Sequence, residues 1–99
     1  METISTQFYN LDQSWHYEII VRVGGVKLRV LIRRNAYDDQ SYVRGYAFSE
    51  LKWNLLVDRP IQTAKCEPVS YVQSKDQFDP NLFVLDGESV LKELQEIVS

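Results

Sequence analysis

The chain has 99 residues, 44% hydrophobic and 25% charged, with a formal net charge of -3. That is one soluble domain's worth of sequence, and it excludes collagen-like and low-complexity classes and disfavours a general nucleic-acid binder, which is strongly basic. One Cys and one His leave no disulfide framework and no Cys- or multi-His metal centre.

Residues 1–14 are mixed and polar apart from Phe8, Tyr9 and Leu11, and read either as an arm or as an edge strand. Met1-Glu2-Thr3 does not begin a basic-then-apolar leader. The longest aliphatic runs, Ile19-Ile20-Val21 and Leu55-Leu56-Val57, fall far short of the roughly 20 apolar residues of a spanning helix. With a free thiol, these features predict a cytoplasmic protein without a membrane segment.

Trp15–Val23 and Val26–Arg34 are two β-rich runs joined by Gly24-Gly25. Glycine reaches the positive φ of type I′ and II′ turns without strain, so the pair predicts a tight hairpin. A two-residue loop fixes the register: Val23 faces Val26, Val21 faces Leu28, Ile19 faces Val30 and Tyr17 faces Ile32. Side chains alternate along a strand, so these eight share one apolar face. The other face carries His16, Glu18, Ile20, Arg22, Lys27, Arg29, Leu31 and Arg33 and is mixed and basic.

Asn35–Ser41 reads as a polar turn, and Tyr42–Phe48 as a further strand. Its Tyr42, Arg44, Tyr46 and Phe48 oppose the small residues Val43, Gly45 and Ala47, over which a helix can approach closely. Leu51, Trp53, Leu55 and Val57 alternate with Lys52, Asn54, Leu56 and Asp58, which predicts a strand over a short helix opened by Ser49. Pro60 and Pro68 bracket a loop, Val69–Gln73 is a candidate strand, Ser74–Asn81 a loop and Leu82–Leu85 a short edge strand. The carboxy-terminal segment 86–99 reads as an amphipathic helix, capped by Asp86 and carrying Val90, Leu91, Leu94, Ile97 and Val98 as one stripe.

The expected fold is therefore α+β, a single domain over 1–99. An antiparallel sheet of four to six strands, strongly curled in one version, packs against one carboxy-terminal helix. Five strands at about 4.8 Å span about 24 Å, and a helix with its side chains is about 10–12 Å across. One helix cannot cover both faces. The sheet must curl towards a barrel, receive the amino-terminal arm, or meet another molecule.

No P-loop, dinucleotide fingerprint, nucleophile elbow or zinc-protease motif occurs, and no catalytic residue, cofactor or metal is assigned. His16 and Cys66 lack any spacing that would join them, and Asp38-Asp39 with Asp58 lack the alternation of a calcium loop. The expectation is a non-enzymatic domain that self-associates, as a dimer, through the uncovered sheet face, with Trp15, Ile20, Leu31, Tyr42, Tyr46, Phe48 and Trp53 as interface candidates. Two alternatives stand beside it. One is a ligand pocket between sheet and helix lined by Trp15, Trp53, Tyr46 and Phe48. The other is weak single-stranded nucleic-acid binding through Arg22, Lys27, Arg29 and Arg33.

Overall fold

The computed structural model describes residues 1–11, 14–34, 41–60 and 80–98, with side chains of the last segment from residue 86 onward. Five strands, β1 (Glu2–Leu11), β2 (Ser14–Val23), β3 (Val26–Arg34), β4 (Tyr42–Ser49) and β5 (Lys52–Pro60), precede one helix, α1 (Pro80–Val98). The strands form one open antiparallel sheet in chain order, with β1 and β5 at its edges. The turn predicted at Asn35–Ser41, except Ser41, the candidate strand at 69–73, Cys66 and Asp38-Asp39 lie outside the described residues.

The β2–β3 hairpin has the predicted register, from Val23↔Val26 through Val21↔Leu28 and Ile19↔Val30 to Tyr17↔Ile32. Gly24 and Gly25 both take positive φ, 56° and 84°, as the turn requires. The amino-terminal segment is an edge strand, β1, paired with β2. It widens the sheet and covers neither face. The sheet is not closed into a barrel.

Helix α1 lies over the face formed by Tyr17, Val21, Leu28, Val30, Ile32, Val43, Ala47 and Val57, and buries Val90, Leu91 and Leu94 against them. Leu94 has no exposed surface, and burying such a side chain stabilises by about 1.5–3 kcal/mol. Two glycines set how near the helix comes. A Cβ added at Gly45 of β4 would lie 3.0 Å from both methyls of Leu94 and 3.1 Å from Val90 Cγ1. One added at Gly87 of α1 would lie 3.1 Å from Tyr17 Cε2. The small side predicted for β4 is thus the seat of the helix.

The helix starts six residues before the predicted Asp86 cap, and Leu82–Leu85 is helical, not an edge strand. Pro80 opens it, where a missing N–H is no loss and φ is already helical. Asp86 therefore sits inside the helix, and its carboxylate accepts a hydrogen bond from Arg34 Nη2. The Arg34 side chain is only 7% exposed, so this pair ties the end of β3 to the helix. Ile97, assigned to the apolar stripe, remains 50% exposed.

The strand predicted across Leu51–Val57 is β5, but its alternation breaks. Gly45 pairs with Val57 and Tyr46 with Leu55, so Leu56 is an extra residue at a bulge. Val57 consequently joins the helix-side core at 6% exposure, whereas Leu55 is 49% exposed. The β4–β5 turn places Glu50 and Leu51 at φ 55° and 63°. Left-handed backbone costs an L-residue other than Gly, Asn or Asp roughly 1–2 kcal/mol, so this turn is strained where the Gly-Gly turn is not.

Gly45→Ala is expected to destabilise the fold by about 1–3 kcal/mol in urea unfolding, because buried Leu94 and Val90 have no solvent to yield into. An unchanged midpoint would contradict the close approach. Burial pushes the Tyr17 phenol above its ordinary value, and the charge of Glu88 adds to the effect. The unfolded chain then ionises first, so this contribution is intact below about pH 10 and is lost as pH rises through the folded value. Tyr17→Phe should lessen the alkaline fall in stability, measured by denaturation at successive pH values; an equal fall in both proteins would refute it.

Candidate functional site

The sheet face turned away from α1 holds almost every residue singled out as a candidate. Strand pairing assembles it in rows. Ser5, Ile20, Arg29, Tyr46 and Leu55 form one row across the sheet; Gln7, Glu18, Leu31, Arg44 and Asp58 form the next; Tyr9, His16, Arg33, Tyr42 and Pro60 form the third. Phe48 and Trp53 lie beside the first row at the β4–β5 hairpin end.

Arginines and aromatic rings interleave there. Arg29 lies 5.3 Å from the Tyr46 ring centroid and 6.0 Å from that of Trp53, while its Nε donates to Glu18 Oε2 at 2.8 Å. Arg44 sits 3.9 Å over Tyr42 and donates to Asp58 Oδ1 at 3.3 Å. Partial burial pulls the Arg44 guanidinium down, but the hydrogen bond and charge of Asp58 outweigh it, so the group is raised overall and stays cationic. Lys27 lies 5.7 Å from the Phe48 centroid, and Phe48 meets Trp53 edge to face at 5.3 Å. Tyr9 and His16 stack at 4.9 Å. Such contacts hold side chains in place before any partner arrives.

The basic hairpin stretch contains no acid between residues 19 and 37, yet its charges are largely answered in space. Glu2 pairs with Arg22 and Glu18 with Arg29 on this face, and Asp86 reaches Arg34 from the helix side. Among the described residues, Lys27 and Arg33 have no carboxylate partner, and Arg33 Nε donates to Ser14 Oγ at 3.2 Å. Two of the four residues considered for phosphate contact are therefore neutralised within the face.

Two site expectations are corrected. Trp15 does not belong to this face: it is 9% exposed, packs with the helix-side core and stacks on Phe8 at 5.1 Å. For the same reason Trp15, Tyr46, Phe48 and Trp53 do not line one pocket between sheet and helix. The first lies on the helix side and the other three on the opposite side, as strand alternation requires. His16 stacks on Tyr9, and no group of three or more His, Cys, Asp or Glu among the described residues is disposed to hold a metal ion. No helix of the described residues is long and apolar enough to cross a membrane.

Beside Phe48, which is 36% exposed and was a candidate, the sequence reading missed three exposed leucines at the β4–β5 end: Leu51 at 93%, Leu55 at 49% and Leu56 at 40%. The doubled Leu55-Leu56 was their sequence signal. No protein-family model matches the chain, and no curated protein or solved structure matches it.

Proposed function

We propose that this is a non-enzymatic interaction domain that self-associates as a dimer through the open face of its sheet. The observation that carries the reading is the one-sided cover. Among the described residues no helix or further strand packs on the side that carries Ile20, Leu31, Tyr42, Tyr46, Phe48 and Trp53; only side chains of the sheet itself, Lys27, Arg29 and Arg44, lie over its rings. The six are the apolar, aromatic and Arg-flanked types enriched in interface cores.

Size and charge support a second copy as the occupant. Five strands of about nine residues present a face of about 24 by 30 Å, or roughly 700 Å². A standard interface takes roughly 800 Å² from each partner. The pre-formed Arg29–Glu18 and Arg44–Asp58 pairs allow the face to be covered without stranding those charges.

The edges favour the face over strand addition. A bulge between Thr3 and Ser5 interrupts β1, and β5 carries its own bulge, charged Lys52, Asp58 and Arg59, and Pro60. These are devices that blunt edge pairing. Nucleic-acid binding is the weaker reading because Arg22 and Arg29 are already paired with carboxylates. A lone Cys without a disulfide framework fits a reducing, cytoplasmic setting.

Light scattering across a concentration series should approach twice the 11.6 kDa chain mass. Leu31→Glu, at the centre of the face, should weaken the dimer by about 10-fold or more with the fold retained. A concentration-independent 11.6 kDa species would contradict the reading.

A further inference from the structure

The β4–β5 hairpin tip combines three features that its own fold does not use. Glu50 and Leu51 both occupy left-handed backbone, where Asn-Gly would be unstrained. Leu51 is 93% exposed, the most exposed of the large hydrophobic side chains among the described residues. Glu50 has no ion-pair partner among those residues, and at the far end of the same face Arg33 has no carboxylate partner either.

Distances along the sheet relate these two ends. Arg33 pairs with Tyr42 and Arg29 with Tyr46. Tyr46 lies midway along β4 between Tyr42 and the turn at Glu50, with about 13 Å of strand on either side. Consider a second copy rotated by a two-fold axis lying between the two sheets and along the Arg29–Tyr46 row. The rotation reverses strand direction and leaves β4 over β4. Each tip then lies over the Tyr42–Pro60 end of the partner's sheet, with Leu51 against the exposed Pro60 ring and beside Tyr42, whose ring carries Arg44. Face-to-face sheets stand about 10 Å apart, a gap that a glutamate and an arginine side chain can bridge together. A two-fold interface needs such self-complementarity, because residue i meets j and j meets i.

We propose that the Glu50–Leu51 tip is the anchor of the self-association: each Leu51 seats on Tyr42 and Pro60 of the partner subunit, and each Glu50 pairs with Arg33 of the partner subunit. This rests on the open-face dimer and names its orientation and its specificity residues. It also accounts for the strained turn, since a Gly at position 51 would relax the backbone but remove the anchor.

Sedimentation equilibrium on the whole chain tests it. Glu50→Arg and Arg33→Glu should each weaken the dimer about 10-fold, and the double variant Glu50→Arg/Arg33→Glu should return to within about threefold of the wild type. Leu51→Gly should raise the urea midpoint measured at concentrations where the chain is monomeric, and yet weaken the dimer by about 10-fold, a combination that a purely structural turn would not produce. If Glu50→Arg and Leu51→Gly dimerise as the wild type does, the tip is not the anchor, while the open-face reading survives. A double variant no tighter than the weaker single variant overturns the pairing with Arg33. A wild-type chain still monomeric at about 1 mM removes both inferences.

Discussion

The arrangement depends on how closely one helix can sit on one face of the sheet. Gly45 removes a side chain from β4 where Leu94 and Val90 arrive, and Gly87 removes one from α1 where Tyr17 arrives. The two absences lower the helix onto β3 and β4, so that Leu28, Val30, Ile32 and Leu94 reach complete or nearly complete burial. Glycine inside a helix costs about 1 kcal/mol in propensity. At Gly87 the gain is contact between the helix backbone and an aromatic ring. The Arg34–Asp86 pair then fastens the helix near its middle to the end of β3.

That commitment decides what happens on the other side. The one helix among the described residues is used on one face, and the amino-terminal segment widens the sheet as β1. The opposite face is then stabilised by its own cross-strand contacts. Guanidinium groups of Arg29 and Arg44 lie over Tyr42, Tyr46 and Trp53 and are answered by Glu18 of β2 and Asp58 of β5, while Glu2 of β1 pairs with Arg22. Cross-strand neighbours of this kind each contribute a fraction of a kcal/mol, but together they hold large side chains in defined positions on a surface that remains half exposed. Ordered side chains of this kind would lose little further entropy on being covered.

Local chemistry made part of this legible in the chain. Gly24-Gly25 dictated both the turn and the register of β2 on β3, and with it the division of sixteen residues between two faces. The small set Val43, Gly45 and Ala47 marked where the helix would lie. Features set by non-local contact were not legible. The extra residue Leu56 reversed the side on which Val57 lies relative to Trp53 and Leu55, and nothing within β5 announces a bulge. Asp86 looked like a cap because it precedes an amphipathic stripe, yet Pro80 begins the helix and Asp86 answers Arg34 across the fold. The pairing of Glu2 with Arg22 and Asp58 with Arg44 could be read only once strand order was known. Trp15 resembled an interface residue by type, but its odd position on β2 turns it to the core.

Each tryptophan reports on a different face, which allows the central claim to be measured directly. Single-tryptophan variants, Trp15→Phe and Trp53→Phe, followed by acrylamide quenching over a concentration series, separate the two environments. If the open face is covered by a second copy, Trp53 is quenched readily in dilute solution and becomes protected as concentration rises, while Trp15 stays protected throughout. Trp53 equally accessible at every concentration, or already shielded at the lowest, would contradict the account.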